Sequence, residues 1–77
     1  MTTIEELKKI INIVMRNRGK SQVEEIMKNS NLRNNLGMDS LDLAELTVRI
    51  EAEYDVDIFE DGIVNTIGEI MQKLDNK

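Results

Sequence analysis

Residues 39–54 have the sequence DSLDLAELTVRIEAEY, and this segment limits the possible architectures more than any other in the chain. An Asp-Ser pair before regularly spaced apolar residues is typical of a helix start, because short polar side chains cap the free N–H groups. Asp39 and Asp42 would both lie in the first turn, where the helix dipole favours negative charge. We therefore predict a helix that begins near Asp39 or Ser40 and ends at about Tyr54.

This helix would carry two apolar stripes on roughly opposite sides, given a rotation of about 100° per residue. One stripe contains Leu43, Leu46, Ile50 and Tyr54, and the other contains Leu41, Ala44, Val48 and Ala52. Since one stripe is enough to bury a surface helix, the second is a candidate docking surface for a partner. Its flanking acids would steer a basic partner towards it; they are Asp42, Glu45 and Glu51. The alternative is that a small bundle buries both stripes, with a loop covering Leu41 and Ala44.

Helical patterns also occur at both ends of the chain. Thr3 and Glu6 form a possible capping box before apolar residues at helical spacing, which predicts a helix from about Thr3 to Asn17. Thr66 and Glu69 repeat this pattern before a last helix, and Ile58 to Gly62 fits a short third helix. Residues 20–38 are rich in turn-forming residues and predict a long loop, with one helical turn capped by Ser21 and with Leu32 and Leu36 in the core. The predicted fold is all-α, a small bundle in one domain spanning residues 1–77.

Composition excludes several functions. The chain lacks both Cys and His, so it can build no Ser-His or Cys-His nucleophile and no thiolate metal site. Its formal net charge is −5, and residues 39–61 hold nine Asp and Glu residues against Arg49 alone. An acidic block with few aromatic residues argues against nucleic-acid binding and favours basic protein surfaces. With no secretory signal and no apolar run of about 20 residues, we expect a cytoplasmic monomer without a membrane span.

Ser40 lies where a loop meets a helix N-terminus, a position that stabilises anionic groups but also one where serine is an ordinary helix cap. The segment Leu36-Gly37-Met38-Asp39-Ser40-Leu41-Asp42 resembles the phosphopantetheine attachment motif of acyl carrier proteins. The resemblance continues through Glu45-Leu46 and residues 50–54 to Asp57-Ile58.

The resemblance implies a four-helix bundle with a short third helix. Ser40 would receive a 4′-phosphopantetheine arm from coenzyme A through a phosphopantetheinyl transferase, whose magnesium or basic residues Asp39 would help to position. The arm's thiol would carry an acyl group as a thioester, so the chain would serve enzymes with basic docking surfaces and would itself hold no metal and catalyse no reaction. The implied partner-facing residues are Leu41, Asp42, Ala44, Glu45, Val48 and Glu51. The implied interior pocket for the acyl chain consists of Leu43, Leu46, Ile50 and Tyr54.

Some residues depart from the family pattern, among them Asn35, Arg49, Ala52 and Phe59. These departures leave a specialised pathway as open as primary fatty-acid synthesis or polyketide synthesis. Two further functions stay open from the sequence alone. One is a carrier for aminoacyl or peptidyl groups, which shares the Ser40 chemistry. The other is an unmodified interaction module in which Ser40 is only a cap.

Overall fold

The computed structural model describes residues 3–60, 62 and 64–76, and it contains three helices in that part of the chain. They are α1 (Ile4–Asn17), α2 (Ser40–Tyr54) and α3 (Ile67–Asp75). The described residues form no strand, and a single isolated antiparallel bridge joins Asn31 to Thr66. The prediction of an all-α fold is therefore confirmed.

The helix ends follow from their caps. In α1 the Thr3 hydroxyl accepts a hydrogen bond of 3.2 Å from the Glu6 N–H, while the Glu6 carboxylate accepts one from the Tyr54 hydroxyl. In α3 the Thr66 hydroxyl accepts from the Glu69 N–H at 3.3 Å, as the capping pattern predicts. The predicted bounds of α1 and α2 are confirmed to within one residue, and α3 begins after the predicted cap, because local cap chemistry fixes these helix starts.

The loop from Lys20 to Asp39 contains no helix, so the helical turn predicted after Ser21 is wrong. The Asn12 side chain explains the difference. Its Oδ1 accepts from the Val23 N–H at 2.7 Å, and its Nδ2 donates to the Val23 carbonyl at 3.1 Å. These bonds to α1 take both backbone groups of Val23, so neither is left for a helical turn.

The far end of this loop is attached to the start of α3 by backbone hydrogen bonds. The N–H of Leu32 donates to the Asn65 carbonyl at 2.8 Å, and the N–H of Gly68 donates to the Lys28 carbonyl at 2.7 Å. Leu32 and Leu36 are buried in the core, as predicted. The loop therefore spans the molecule as an ordered part of the fold.

Turns replace the predicted short third helix. Residues 58–60 form a turn, with a bond of 3.2 Å from the Glu60 N–H to the Asp57 carbonyl, and Asp61 lies outside the described residues. The Asp57 carboxylate accepts from the Phe59 N–H at 3.0 Å, a local bond that favours a turn over a helix. Ile58 is nevertheless fully buried and anchors the segment to the core.

One apolar core joins the three helices, the loop and the turn. Its fully buried members include Leu7 and Ile11 from α1, Leu46 and Ile50 from α2, and Ile70 from α3. The stripe of α2 that begins at Leu43 thus faces the core, as predicted for Leu43, Leu46 and Ile50. In the part of the chain that the structure describes, no helix has both the length and the apolar content to cross a bilayer.

Candidate functional site

Ser40 is the first residue of α2, and it is exposed. Gly37 adopts a φ of 74°, a left-handed conformation that glycine takes without strain, and it turns the chain towards α2. Met38 is then buried, which fixes the chain just before the serine. Within the described residues the Ser40 hydroxyl makes no hydrogen bond. Asp39, and not Ser40, caps the helix, so the Ser40 hydroxyl takes no part in capping.

Asp39 and Asp42 form a reciprocal capping box around Ser40. Asp39 Oδ1 accepts from the Asp42 N–H at 2.9 Å, and Asp42 Oδ2 accepts from the Asp39 N–H at 2.9 Å. Both backbone donors are thereby satisfied, and the turn that carries Ser40 is held from each side.

The Asp42 side chain is fully buried, with an exposure of 0%. This corrects the prediction that Asp42 flanks the outer stripe and contacts a partner. The helical period predicted the angular position of Asp42 around α2, but it could not predict which residues pack against Asp42. The end of α1 and the following loop pack over this position, so Asp42 serves the fold from inside.

Two cations from the C-terminal side of α1 compensate the buried carboxylate. Arg18 Nε donates to Asp42 Oδ1 at 3.0 Å, and Lys20 Nζ contacts Asp42 Oδ2. Lys20 also bonds to Asp39 Oδ2 and to the Gly37 carbonyl, both at 3.3 Å. These contacts connect α1 to the chain on both sides of Met38.

The pKa values of this cluster are shifted by the same contacts. Burial raises the pKa of Asp42, but the hydrogen bonds from Lys20, the Asp39 N–H and Arg18 together outweigh it, so the net shift is downward. The backbone hydrogen bond from Asp42 is the main cause of the lowered pKa of Asp39. The hydrogen bond to Asp42 is the main cause of the raised pKa of Lys20. All three groups are therefore charged at neutral pH.

The outer stripe of α2 is exposed, so the alternative in which the bundle buries both stripes is wrong. Leu41 is 62% exposed and Val48 is 67% exposed, and Ala44 and Ala52 are also exposed. We call these four residues the outer strip. Large apolar side chains this exposed on one helix face are typical of a docking surface.

The acids predicted to flank the outer strip differ in their surroundings. Glu45 Oε2 accepts hydrogen bonds of 3.2 Å from both Arg49 Nε and Asn17 Nδ2. Glu51 is exposed, and no ion pair involves it among the described residues. The sequence placed both acids correctly at the surface, but it did not show that one of them is paired.

An open cleft of about 590 Å³ lies beside Ser40. Of the four residues predicted to form an acyl pocket, only Leu43 lines it. Leu46 and Ile50 have no exposed surface, and Tyr54 lies at the opposite end of α2, where its hydroxyl donates to Glu6. These three residues contact the core, in agreement with the predicted interior position of the stripe, and their role in holding an acyl chain stays a prediction.

Sequence reasoning missed most of the cleft. Besides Ser40 and Leu43, its lining consists of Arg33, Ala44, Thr47, Phe59, Val64 and Asn65. Ala44 and Thr47 follow Ser40 at spacings of four and seven, so the helical period from the serine was a signal that could have found them. Phe59 and Val64 come from the turn segment, whose path the sequence does not specify.

Comparisons with known proteins agree with this geometry. Residues 4–74 match the family profile described as the phosphopantetheine attachment site. The chain is 32% identical over 80 residues to an acyl carrier protein of Buchnera aphidicola subsp. Schizaphis graminum (strain Sg), covering 100% of this chain and 96% of that protein. It is 39% identical over 84 residues to an acyl carrier protein of Cyanidium caldarium, again covering 100% and 96%.

A third relative, the acyl carrier protein of Amoebophilus asiaticus (strain 5a2), is 36% identical over 55 residues, which is 69% of each chain. These matches favour neither an aminoacyl carrier nor an unmodified interaction module. The chain therefore belongs to the acyl carrier protein family, and it is a carrier of acyl groups on a 4′-phosphopantetheine prosthetic group.

Proposed function

We propose that Ser40 is the residue that bears the 4′-phosphopantetheine arm. The observation that supports this assignment is the exposed Ser40 hydroxyl, which has no hydrogen-bond partner in the described structure and stands at the first position of α2. The neighbouring side chains are committed elsewhere, since Asp39 caps the helix and Met38 is buried. Ser40 thus offers the hydroxyl nucleophile at this turn that an external enzyme can reach.

The attachment step needs only the Ser40 oxygen from this chain. That oxygen forms a bond to the phosphorus of coenzyme A that carries the pantetheine, and the bond from this phosphorus to the adenosine bisphosphate breaks. The hydroxyl proton passes to a base of the phosphopantetheinyl transferase, and adenosine bisphosphate leaves. The product is a phosphodiester on Ser40, next to a helix N-terminus that favours negative charge.

The residues around Ser40 fit such a group. When bound, the arm supplies the terminal thiol that carries the acyl group as a thioester, a thiol that this chain of 77 residues without Cys cannot supply itself. The exposed Asp39 keeps a lowered pKa, so it offers an ionised carboxylate to the metal or the basic residues of the transferase. In this proposal the chain is a substrate for enzymes and not itself a catalyst.

The outer strip and the cleft would have different roles, one in contacting partner enzymes and the other in holding the acyl chain. The exposed Leu41, Ala44 and Val48 would contact the transferase and the acyl-transfer and synthase enzymes. The cleft beside Ser40 would hold part of the acyl chain between encounters, because Leu43, Phe59 and Val64 give it an apolar lining. An arm on Ser40 would begin at the mouth of this cleft.

The test is the intact mass after incubation with coenzyme A, magnesium and a broad-specificity phosphopantetheinyl transferase. We expect wild type to gain the mass of one phosphopantetheine and Ser40→Ala to gain none. Ser21→Ala, which removes an exposed serine in the long loop, is the matched control and should be modified like wild type. A wild type that is folded by circular dichroism yet gains no mass, or a Ser40→Ala protein that gains it, would contradict the assignment.

A further inference from the structure

We propose that partners of this carrier dock by apolar contact near Ser40 and are attracted by charge at the far end of α2. This inference rests on the proposed attachment at Ser40, and it specifies the kind of partner that the outer strip fits. The sequence predicted a helix flanked by acids along its whole length. The contacts in the structure distribute the available charge differently.

The acids near Ser40 are neutralised by cations of the same chain. Asp42 is buried between Arg18 and Lys20, and Lys20 also contacts Asp39. An ion pair with atoms about 3 Å apart presents a dipole to a distant partner, and the field of a dipole falls off faster than that of a single charge. These two acids therefore attract a basic partner only weakly.

Arg49 has the same effect on Glu45 one turn further along α2. Its Nε lies 3.2 Å from Glu45 Oε2, and Asn17 donates to the same oxygen atom. The Arg49 side chain is still 39% exposed, so it also places a positive charge next to the docking surface. A partner that brings a cation to this edge meets Arg49 as well as Glu45.

The far end of the strip has a different character. A shallow depression of about 350 Å³ is lined by two apolar and two acidic residues, namely Val48, Ala52, Glu51 and Asp55. Neither acid takes part in an ion pair within the described part of the chain. Asp55 is also the C-cap of α2, where the helix dipole adds negative potential.

This arrangement fits one kind of partner. The partner is a protein with an apolar patch for Leu41 and Ala44 and with an Arg or Lys side chain that meets α2 about 16 Å from Ser40, given a rise of about 1.5 Å per residue from Ser40 to Glu51. The aliphatic part of that side chain would pack on Val48 and Ala52, while its charged end would meet Glu51 and Asp55. A basic groove that contacted the whole length of α2 would gain little binding energy from the half nearest Ser40, because the acids there are already paired within the chain.

The experiment uses the Ser40→Ala protein, which can dock but cannot be modified, and a basic phosphopantetheinyl transferase as the probe. The dissociation constant of the carrier–transferase complex is measured at about 0.02 M and about 0.3 M salt. These concentrations lie below and above about 0.1 M, at which the screening length is about 10 Å. We expect Glu51→Gln to weaken binding about threefold at low salt, consistent with the loss of a single exposed ion pair. The double variant Glu45→Gln/Arg49→Gln removes a pair with no net charge and should change binding by less than about 1.5-fold. Glu53→Gln, an exposed acid on the same helix, is the matched control.

Arg49→Gln gives the sharper test, because removal of this cation frees Glu45. We expect this variant to tighten binding about threefold at low salt, and Arg16→Gln, which removes an exposed cation from α1, to have a smaller effect. The proposal would be overturned if the double variant Glu45→Gln/Arg49→Gln weakened binding as much as Glu51→Gln, or if Arg49→Gln had no larger effect than Arg16→Gln. The modification rate of the same variants with Ser40 restored is measured in parallel, so that weak binding does not hide the effects. A missing mass gain in wild type would instead contradict the attachment at Ser40.

Discussion

Arg18 Nε donates a hydrogen bond of 3.0 Å to Oδ1 of the fully buried Asp42, which connects the end of α1 to the first turn of α2. The other Asp42 oxygen accepts from the Asp39 N–H. One carboxylate thus holds two helices together and also fixes the residue before Ser40. This makes Asp42 the residue whose loss should disturb the site most without touching the reactive hydroxyl.

Asp42→Asn should lower the free energy of unfolding by about 2 kcal/mol. The substitution removes charge-assisted hydrogen bonds to a buried group, while Arg18 and Lys20 are a third exposed and can regain water, which limits the cost. Urea denaturation at neutral pH measures the difference. Glu53→Gln on the exposed face of α2 is the control and should stay within about 0.5 kcal/mol of wild type. Equal stability of the two variants would show that the buried contacts contribute nothing.

The pH dependence of the free energy of unfolding should report the ionisation of Asp42. The folded pKa of Asp42 lies below its ordinary value of 3.8, so its stabilising contribution is present above pH 3.8 and is lost as pH falls through the lower folded value. We therefore expect the stability difference between wild type and Asp42→Asn to be constant from pH 7 to about pH 5 and to shrink below pH 3.8. Unfolding curves recorded along an acid series check this. If the difference grew on acidification, the pKa of Asp42 would be raised in the folded protein and not lowered.

Asn12→Ala should destabilise the fold by about 2 kcal/mol, although Asn12 lies far from Ser40 in sequence. Its side chain makes two hydrogen bonds with the Val23 backbone at a partly buried position, each worth about 1 kcal/mol. Asn17→Ala removes one exposed side-chain bond from the same helix and should cost less than about 0.5 kcal/mol. Thermal unfolding of both variants separates the two cases, and a similar loss in each would argue against a special role for Asn12.

A bulky residue at Thr47 should block the cleft and reduce the stabilisation that a bound acyl chain provides. Thr47 lines the cleft between Leu43 and the turn segment, so we expect Thr47→Trp to lower the rise in Tm that follows loading with a medium-length acyl chain by at least about half. Val48→Trp, one residue further along α2 and outside the cleft, should keep the full rise. If both tryptophan variants retain the rise, the acyl chain lies elsewhere.

The sequence predicted the helix caps and the buried face of α2, because these features depend on residues close together in the chain. Thr3, Asp39 and Thr66 cap the three helices as short polar residues do, and the apolar spacing identified the buried stripe of α2. It could not predict the path of the long loop, because the bonds from Asn12 to Val23 join residues that no short pattern relates. The same limit applies to Asp42, whose burial depends on how α1 ends, and to the cleft, whose Phe59 and Val64 come from turns.

The backbone bonds between the long loop and the start of α3 have a consequence for the motions of the molecule. Ile67 donates to the Ser30 carbonyl at 3.1 Å, close to the bonds from Leu32 and Gly68, so residues 30 and 67 close a ring of chain that contains all of α2. Helix α2 is thereby tethered at both of its ends, because the segments before and after it are bonded to each other. Amide hydrogen exchange at Leu32, Ile67 and Gly68 should therefore occur only in rare openings that release the whole segment. A carrier built in this way meets its enzymes with a pre-organised surface, and the large movements between active sites are left to the arm.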